Sequence, residues 1–420
     1  MLAHSALKFI TCGSVDDGKS TLIGRLLVDS KAVLQDHLAG VQRGGQTDLA
    51  LLTDGLSAER EQGITIDVAY RYFATENRKF IIGDCPGHEQ YTRNMVTAAS
   101  SADAAVVLVD ATKLKWQDPK LQLLPQTRRH SLLLHLLRVP STIFAVNKLD
   151  AVADPDLAFA HIRAALNDFA QAAGISIDAV VPISALQGYN VVDPRPDWCG
   201  YQGPGLLQIL EQLPAMPADL ALDFAFPVQW VEKFSSSSDT QQGRRVFWGR
   251  LSSGQVQPGQ KVRIFPGGQS ATVAQVLNHV RERQSVSAGN SAGIVLDREL
   301  DVSRGDWLLA DTEQSGQSSR ELRATVAWLD DEPLVPGRVY WALHGHRWVK
   351  TKIKRIVEQL DIHTLNRTVA TQLDANAIGV VELSLQEALL SLPYAKSRGM
   401  GSLVLVDTAT HKTAGAVMLD

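Results

Sequence analysis

The chain has 420 residues, a length that predicts two to three domains. Apolar residues make up 45% of it and charged residues 20%, which is ordinary for a globular protein. The formal net charge of −4 argues against a strongly electrostatic binder of nucleic acid or of a membrane surface. A local basic face is still compatible with that total.

Cysteine usage and the first residues bear on the compartment. The chain has 3 cysteines, an odd number that favours reduced thiols, and their spacing fits no metal pattern. The first strand candidate begins at Leu7, so we expect no signal peptide before it. Because no apolar run reaches the length of a membrane span, we expect a cytoplasmic protein without a membrane partner.

The first half of the chain alternates strand and helix patterns. The strand candidates are Leu7–Cys12, Arg78–Asp84, Ala104–Asp110, Ser141–Asn147 and Val180–Ser184. Helix candidates include Leu22–Leu27 and Leu157–Ala173, where apolar residues recur every three or four positions. This alternation predicts a mostly parallel sheet covered on both faces, with ligands bound beyond the carboxyl ends of its strands.

The pattern changes after a proline-containing linker at Leu213–Pro217. Short β-type runs such as Val246–Leu251 then alternate with glycine turns, which predicts a β-barrel. Ser235–Asp239 predicts a mobile loop, and the polar stretch Thr312–Gln317 predicts a second boundary before another β-rich segment. We therefore expect domains at 1–218, 219–316 and 317–420, the last two being β-barrels.

A phosphate-loop pattern lies between the first strand and the first helix. Its residues are Gly13-Ser14-Val15-Asp16-Asp17-Gly18-Lys19-Ser20-Thr21, which fit Gly, four residues, Gly-Lys-Ser/Thr. In that context backbone N–H groups and a helix N-terminus face an anion. Lys19 would reach the β- and γ-phosphates and the Ser20 hydroxyl would sit on Mg²⁺. The chain is therefore predicted to bind a nucleoside triphosphate.

Two later strand ends predict which base is bound. In Asn147-Lys148-Leu149-Asp150 the Asp150 carboxylate would accept the guanine N1–H and 2-amino hydrogens, which adenine does not offer. Asn147 would tie the loop together, and the Lys148 stem would lie along the base. In Ser184-Ala185-Leu186 the Ala185 N–H would meet guanine O6.

Two further segments would contact the γ-phosphate side. In Asp84-Cys85-Pro86-Gly87-His88, Asp84 would hold Mg²⁺ through water and the Gly87 N–H would contact the γ-phosphate. Alone, this Pro–Gly pair would indicate a plain turn. Thr65 would close a loop over Mg²⁺ when a γ-phosphate is present. The order of all these segments is that of a GTPase domain, so GTP is favoured over ATP.

With these motifs the chain resembles translation-factor-type GTPases. Asp84–His88 resembles that family's Asp-Thr-Pro-Gly-His, and Glu59–Ile66 resembles its switch sequence. Within the superfamily, Thr11–Leu27 and Gln126–His130 are similar to the GTPase (large) subunit of bacterial sulfate adenylyltransferase. Elongation factors usually carry His where this chain has Asp17.

The resemblance implies a P-loop GTPase domain of α/β type followed by two β-barrels. It implies a chain that hydrolyses GTP with Mg²⁺, so that a separate, smaller catalytic subunit can make adenylylsulfate and pyrophosphate from ATP and sulfate. The complex would be a heterodimer or larger, without nucleic acid. Lys19 and His88 match catalytic positions, His88 as the group that positions water; Ser20, Thr65 and Asp84 match the metal positions.

Other matches leave two interpretations open. Val15 and Ile64 match a hydrophobic gate around the histidine, although simple core packing is an equal interpretation. Asp16 would help to hold a monovalent cation at the phosphates.

The chain also departs from the family pattern. Cys85 replaces the usual Thr and adds an oxidisable thiol. Between Ala111 and Gln126 the chain is longer than usual, and Lys113–Pro119 predicts an inserted surface loop. Since the sequence reaches Asp420 without a second phosphate loop, we expect no adenylylsulfate kinase activity.

Two alternatives share this fold. One is an elongation factor that binds tRNA or the ribosome, against which Asp17 and the segment Ile66–Tyr72 argue. The other is a non-catalytic adaptor with a structural nucleotide site. The residues that argue against it are the intact Lys19, Thr65, Asp84 and His88.

Overall fold

The computed structural model describes residues 6–31, 42–43, 46–47, 49, 65, 67–216, 219–233, 245–278, 281–312 and 316–420. The chain groups into two compact units, Met1–Met216 with Asp361–Asn366, and Pro217–Leu360 with Arg367–Asp420. The predicted loop Ser235–Asp239 lies outside the described residues. The boundaries predicted at 218 and 316 stay predictions.

The first unit is built on one mixed sheet of six strands in its described part. The strands of this unit are β1 (Leu7–Cys12), β2 (Gln42–Arg43), β3 (Gln46–Thr47), β4 (Ala69–Ala74), β5 (Lys79–Asp84), β6 (Ala104–Asp110), β7 (Ser141–Asn147) and β8 (Ala179–Pro182). The spatial order is β4-β5-β1-β6-β7-β8, and β2 and β3 form a separate two-stranded sheet. All neighbours are parallel except β4 and β5. The predicted mostly parallel sheet is confirmed.

Helices separate these strands along the chain. They are α1 (Lys19–Asp29), α2 (Thr92–Ala99), α3 (Pro125–Leu136), α4 (Pro155–Ala173) and α5 (Leu206–Gln212). Helix α4 shows why the local sequence folds this way: the Asp154 side chain accepts the Leu157 N–H at 3.0 Å, and Pro155 opens the first turn. The helix ends at Gly174, whose φ of +69° suits glycine.

The core of this unit fixes where the strands end. Leu22, Ile23 and Leu26 of α1 pack on apolar side chains of the sheet, including Phe9 and Phe80. Strands β6 and β7 are buried along their whole length, as expected for central parallel strands. The register pairs Thr11, one residue before the end of β1, with Asp84 at the end of β5, and it pairs Asp110 with Asn147 at the ends of β6 and β7. The polar strand ends therefore meet at one edge of the sheet.

The second unit contains two all-β segments with separate cores. The first segment comprises β9 (Ala225–Pro227), β10 (Trp230–Lys233), β11 (Arg245–Arg250), β12 (Gln255–Val256), β13 (Lys261–Phe265), β14 (Ser270–Asn278), β15 (Arg281–Arg283), β16 (Val286–Ser287), β17 (Ser291–Leu296) and β18 (Trp307–Ala310). Its main antiparallel sheet runs β10-β11-β17-β14-β13-β18-β9, with β15 on β14, while β12 pairs with β16.

The second all-β segment closes on itself. It comprises β19 (Gln317–Trp328), β20 (Val339–His344), β21 (Arg347–Leu360), β22 (Arg367–Thr368), β23 (Ile378–Ser391), β24 (Ser402–Asp407) and β25 (Thr413–Leu419). The order is β20-β24-β25-β19-β23-β21-β22, and β20 also pairs with β21, so six strands form a closed barrel. Among the residues described, no helix has the length and apolar character needed to cross a membrane.

Candidate nucleotide-binding site

The predicted phosphate loop lies between β1 and α1. β1 ends at Cys12 and α1 begins at Lys19, so the intervening turn leads into a helix N-terminus. Gly18 has a φ of +91°, and a Cβ there would lie 2.5 Å from Asn147 Nδ2. Only glycine satisfies both conditions. Asp16 is exposed, with a φ of +60°.

Lys19 is buried within this loop. Its Nζ donates to the carbonyl oxygens of Ser14 at 2.7 Å and Gly13 at 3.4 Å. Burial lowers the pKa of Lys19, and the charges of Asp84 and Asp17 act in the opposite direction. A Cβ on Gly87 would lie 2.7 Å from Lys19 Nζ, so the Asp84–His88 turn passes directly over the amine. The structure brings two predicted motifs together here.

Asp84 joins the loop to the next strand end. Its Oδ2 accepts the Ser20 hydroxyl at 3.1 Å, and its Oδ1 accepts the Thr11 hydroxyl at 3.2 Å. Thr11 was not among the predicted site residues, although its place one residue before the end of β1 is a sequence signal. The hydroxyl and carboxylate oxygens of Ser20 and Asp84 are donors of the kind that Mg²⁺ prefers. Thr65 is half-buried, while Ile64 of the predicted gate lies outside the described residues.

Cys85 is fully buried beside this site. Burial raises the pKa of its thiol well above the ordinary value, and burial raises the pKa of Cys12 to about 12. Both side chains are therefore thiols at neutral pH. Because the species that reacts with oxidants is an accessible thiolate, burial protects Cys85 in this conformation.

His88 follows the buried Pro86 and Gly87 and is itself half-buried. It precedes a short 3₁₀ turn, Glu89–Tyr91, and its ring meets the Tyr91 ring edge-on at 6.3 Å. The backbone thus presents His88 at the end of the turn that covers Lys19.

A buried pair on α3 supports the same turn. Gln126 Nε2 donates to the carbonyl oxygen of Gly87 at 3.4 Å and lies 2.8 Å from His130 Nε2. Gln126 Oε1 accepts from Arg129, which fixes the amide orientation and makes His130 Nε2 the acceptor. Burial lowers the pKa of His130 to about 3. The sequence indicates these residues only through the resemblance at Gln126–His130, which assigns them no role.

The base-side motif is joined to the phosphate loop. Asn147 Nδ2 donates to the Asp17 carbonyl oxygen at 2.8 Å, as the predicted tie requires. Lys148, at φ +61°, donates to the Asp16 carbonyl oxygen at 2.5 Å and to Asp110 Oδ2 at 2.7 Å. Asp150 is exposed within the 3₁₀ turn Leu149–Ala151. The contact of Asp150 with a guanine base stays a prediction.

Ala185 differs from the expectation. Its N–H donates to Asn147 Oδ1 at 2.9 Å, so the predicted contact with guanine O6 is not prepared in this structure. Arg25 of α1 donates from Nε to the Ala185 carbonyl oxygen at 3.2 Å and from Nη2 to that of Leu186. Ser184 is buried and Leu186 is exposed. No sequence pattern had singled out Arg25.

Lys113 begins the predicted insertion but does not point away from the site. Its Nζ lies 3.1 Å from Asp17 Oδ1 and also donates to the Val15 carbonyl oxygen. The rest of the segment Lys113–Pro119 is mostly exposed, with Leu114 buried. Lys113 is itself exposed, as a surface loop requires, although its amine contacts Asp17; the segment departs from the predicted surface loop at the buried Leu114.

The family model of the elongation factor Tu GTP-binding domain matches residues 4–220, and that of the GTP-eEF1A C-terminal domain-like family matches residues 321–420. The sulfate adenylyltransferase subunit 1 of Laribacter hongkongensis is 41% identical over 98% of this chain and 85% of its own length. The chain belongs to the sulfate adenylyltransferase subunit 1 family.

Other members of the subunit 1 family give similar values. The protein of Vibrio campbellii is 43% identical over 99% of this chain and 86% of its own length. The bifunctional enzyme CysN/CysC of Xylella fastidiosa is 44% identical over 99% of this chain, which spans 65% of that relative. The recognition of a GTPase subunit within the translation-factor superfamily is confirmed.

Two solved structures of translation factors are among those similar to this chain. Sup35 complexed with GDP is 21% identical to this chain, with a TM-score of 0.44. The match covers 100% of this chain and 94% of the Sup35 chain. The bacterial selenocysteine-specific elongation factor EF-Sec is 23% identical over 99% of this chain and 58% of its own length, with a TM-score of 0.46.

Proposed function

We propose that this chain is the GTP-hydrolysing subunit of a sulfate adenylyltransferase. It couples GTP hydrolysis to the synthesis of adenylylsulfate and pyrophosphate from ATP and sulfate by a separate, smaller catalytic subunit in the cytoplasm. The observation that carries the proposal is the convergence of the phosphate loop, the Asp84–His88 turn and Asn147–Asp150 in one site of a subunit 1 family chain.

The phosphates would bind where the loop N–H groups, the α1 N-terminus and Lys19 converge. Lys19 now contacts the Ser14 carbonyl oxygen at 2.7 Å, and a triphosphate would replace that weak acceptor by charged oxygens. The ammonium would then stabilise charge on the β,γ-bridging side as the bond to the γ-phosphorus breaks.

The fit of a magnesium ion rests on Ser20 and Asp84. Their oxygens lie 3.1 Å apart next to Lys19, and Thr65 would complete the set predicted from sequence. When bound, Mg²⁺ would neutralise charge on the β- and γ-phosphate oxygens. Thr11, which donates to the other Asp84 oxygen, would hold the carboxylate in orientation.

His88 would orient the attacking water. The water oxygen forms the new bond to the γ-phosphorus, the bond to the β-phosphate oxygen breaks, and the products are GDP and phosphate. Because the turn carrying His88 also packs over Lys19, loss of the γ-phosphate would change the position of the turn. This movement is what the partner subunit would sense.

The nucleotide half of the proposal is tested on the full chain with Lys19→Ala and, as control, Lys115→Ala, an exposed lysine. We expect Lys19→Ala to lower GTP hydrolysis by about 100-fold or more, since a preorganised charged donor is lost, and Lys115→Ala to match the wild type. Hydrolysis by Lys19→Ala at the wild-type rate would contradict the proposal. Retention of tRNA by the chain in a pull-down would favour the translation-factor alternative.

A further inference from the structure

Three successive carbonyl groups of the phosphate loop each accept a lysine amine. Ser14 O accepts from Lys19 at 2.7 Å, Val15 O accepts from Lys113, and Asp16 O accepts from Lys148 at 2.5 Å. In a trans peptide the C=O and the following N–H point in opposite directions. The amines that hold the Ser14 and Val15 carbonyls therefore turn the next two N–H groups toward the other side, where an anion would bind.

Of these three lysines, Lys113 lies in no nucleotide-binding motif. It ends a 3₁₀ turn, Ala111–Lys113, that follows β6, and Asp110 caps that turn by accepting the Thr112 N–H at 2.9 Å. The Lys113 amine lies 3.1 Å from Asp17 Oδ1 and 3.9 Å from Asp110 Oδ2. The end of β6 thus aims this lysine at the loop.

Asp17 gives Lys113 a specific task. Its side chain is fully buried, and its Oδ2 accepts the Ser14 N–H at 2.6 Å. Burial raises the pKa of Asp17, while Lys113 and Lys19 lower it. A buried carboxylate is costly unless a cation and hydrogen bonds compensate it. When a triphosphate engages Lys19, Lys113 is the described lysine that still contacts Asp17.

We propose that Lys113 is a positioning residue of the nucleotide site, acting on the phosphate loop through Asp17 and the Val15 carbonyl oxygen. The assignment rests on the proposed GTPase function and deepens it. Lys113 does not touch the reacting atoms, so it sets how well the loop is formed before nucleotide binds. Its removal therefore weakens binding of GDP and GTP alike and leaves the hydrolysis of bound GTP nearly unchanged.

The test uses the full chain with Lys113→Met, Lys113→Arg and the control Lys115→Met. Dissociation constants for GDP and GTP and the single-turnover rate of bound GTP are measured for each. We expect Lys113→Met to weaken both nucleotides about tenfold or more, the effect of losing a hydrogen bond to a charged group, with the rate changed less than about twofold. Lys113→Arg restores most of the affinity, and Lys115→Met matches the wild type.

A double variant separates positioning from misfolding. If Lys113 acts by neutralising Asp17, Asp17→Asn/Lys113→Met binds GTP more tightly than Lys113→Met alone, because no buried charge is left unpaired. Unchanged nucleotide affinity in Lys113→Met, or no recovery in the double variant, would overturn the assignment. A wild-type chain that binds no GTP would instead overturn the proposed function, so the two failures are distinguishable.

Discussion

The side-chain amide of Asn147 donates to the backbone carbonyl of Asp17 at 2.8 Å, which joins the base-side motif to the phosphate loop. The same side chain accepts the Ala185 N–H at 2.9 Å through Oδ1. One buried amide therefore connects three chain segments that are far apart in sequence. The phosphate and base ends of the site form a single hydrogen-bonded unit.

We expect Asn147→Ala to damage both ends of the site at once. It leaves the Asp17 carbonyl and the Ala185 N–H without this partner, at a cost of about 1–3 kcal/mol for each buried group. Thermal unfolding of the variant should occur at lower temperature, and GTP should bind about tenfold or more weakly. Asn77→Ala, at an exposed asparagine between β4 and β5, is the control. Wild-type GTP affinity in Asn147→Ala would show that the tie is not needed.

Asp150 is expected to set base preference. Asp150→Asn replaces an acceptor by an amide that can donate to the 2-oxo group of xanthine, so XTP should gain on GTP. Loss of hydrogen bonds to a charged group should weaken GTP about 10- to 100-fold. Competition of GTP, XTP and ATP for the wild type and the variant measures this change. An unchanged preference for GTP would remove Asp150 from the base site.

The lowered pKa of Lys19 predicts a pH dependence of GTP affinity. Bound phosphates stabilise the ammonium form, so affinity is greatest below the pKa of Lys19 in the free chain and falls as pH rises through it. We expect the decline to begin below the ordinary lysine value of about 10.4.

Lys19→Arg is the matched control, because arginine stays protonated throughout. Deprotonation of guanine affects both proteins equally, so the ratio of their GTP dissociation constants between about pH 6 and 9 reports on Lys19. A ratio that is constant across this range would contradict the prediction.

His130 predicts loss of stability in acid. Burial lowers its pKa to about 3, so below about pH 6.5 the unfolded chain binds a proton that the folded chain does not. The contribution of neutral His130 to the free energy of unfolding is therefore fully present above about pH 6.5 and is lost as pH falls toward 3. At about pH 5.5 the folded chain has lost about 1.4 kcal/mol of this free energy.

Urea unfolding at about pH 7.5 and 5.5 measures this effect in His130→Gln, whose amide can still accept from Gln126 but does not titrate. The variant should lose about 1 kcal/mol less than the wild type on acidification. His363→Gln, at an exposed histidine, should behave as the wild type. Equal losses in His130→Gln and the wild type would show that His130 does not cause the acid sensitivity.

Features that depend on residues close together in the chain could be predicted from the sequence. The strand before Gly13, the helix after Lys19 and the capped helix that ends at Gly174 all follow from local patterns, and they lie where predicted. The polar strand ends lie at one edge of the sheet because parallel strands joined by helical crossovers have their carboxyl ends on the same side.

The missed contacts join residues that are distant in the chain. Lys113 to Asp17, Arg25 to Ala185 and Gln126 to Gly87 depend on where separate loops meet, and side-chain type alone does not specify the partner. A β-barrel at 317–420 was predicted, but the strand order that closes it through β20 and β21 does not follow from an alternating strand pattern, which gives strands but not their order.

The central claim is that GTP hydrolysis by this chain drives sulfate activation by a separate subunit. The most direct measurement is sulfate-dependent release of pyrophosphate from ATP by a mixture of this chain and a candidate small subunit. The release is measured with and without GTP, first with the wild-type chain and then with the Lys19→Ala variant of the chain. The account predicts that GTP strongly increases pyrophosphate release with the wild-type chain and has no effect with Lys19→Ala. Equal release with and without GTP, or full GTP stimulation by Lys19→Ala, would contradict it.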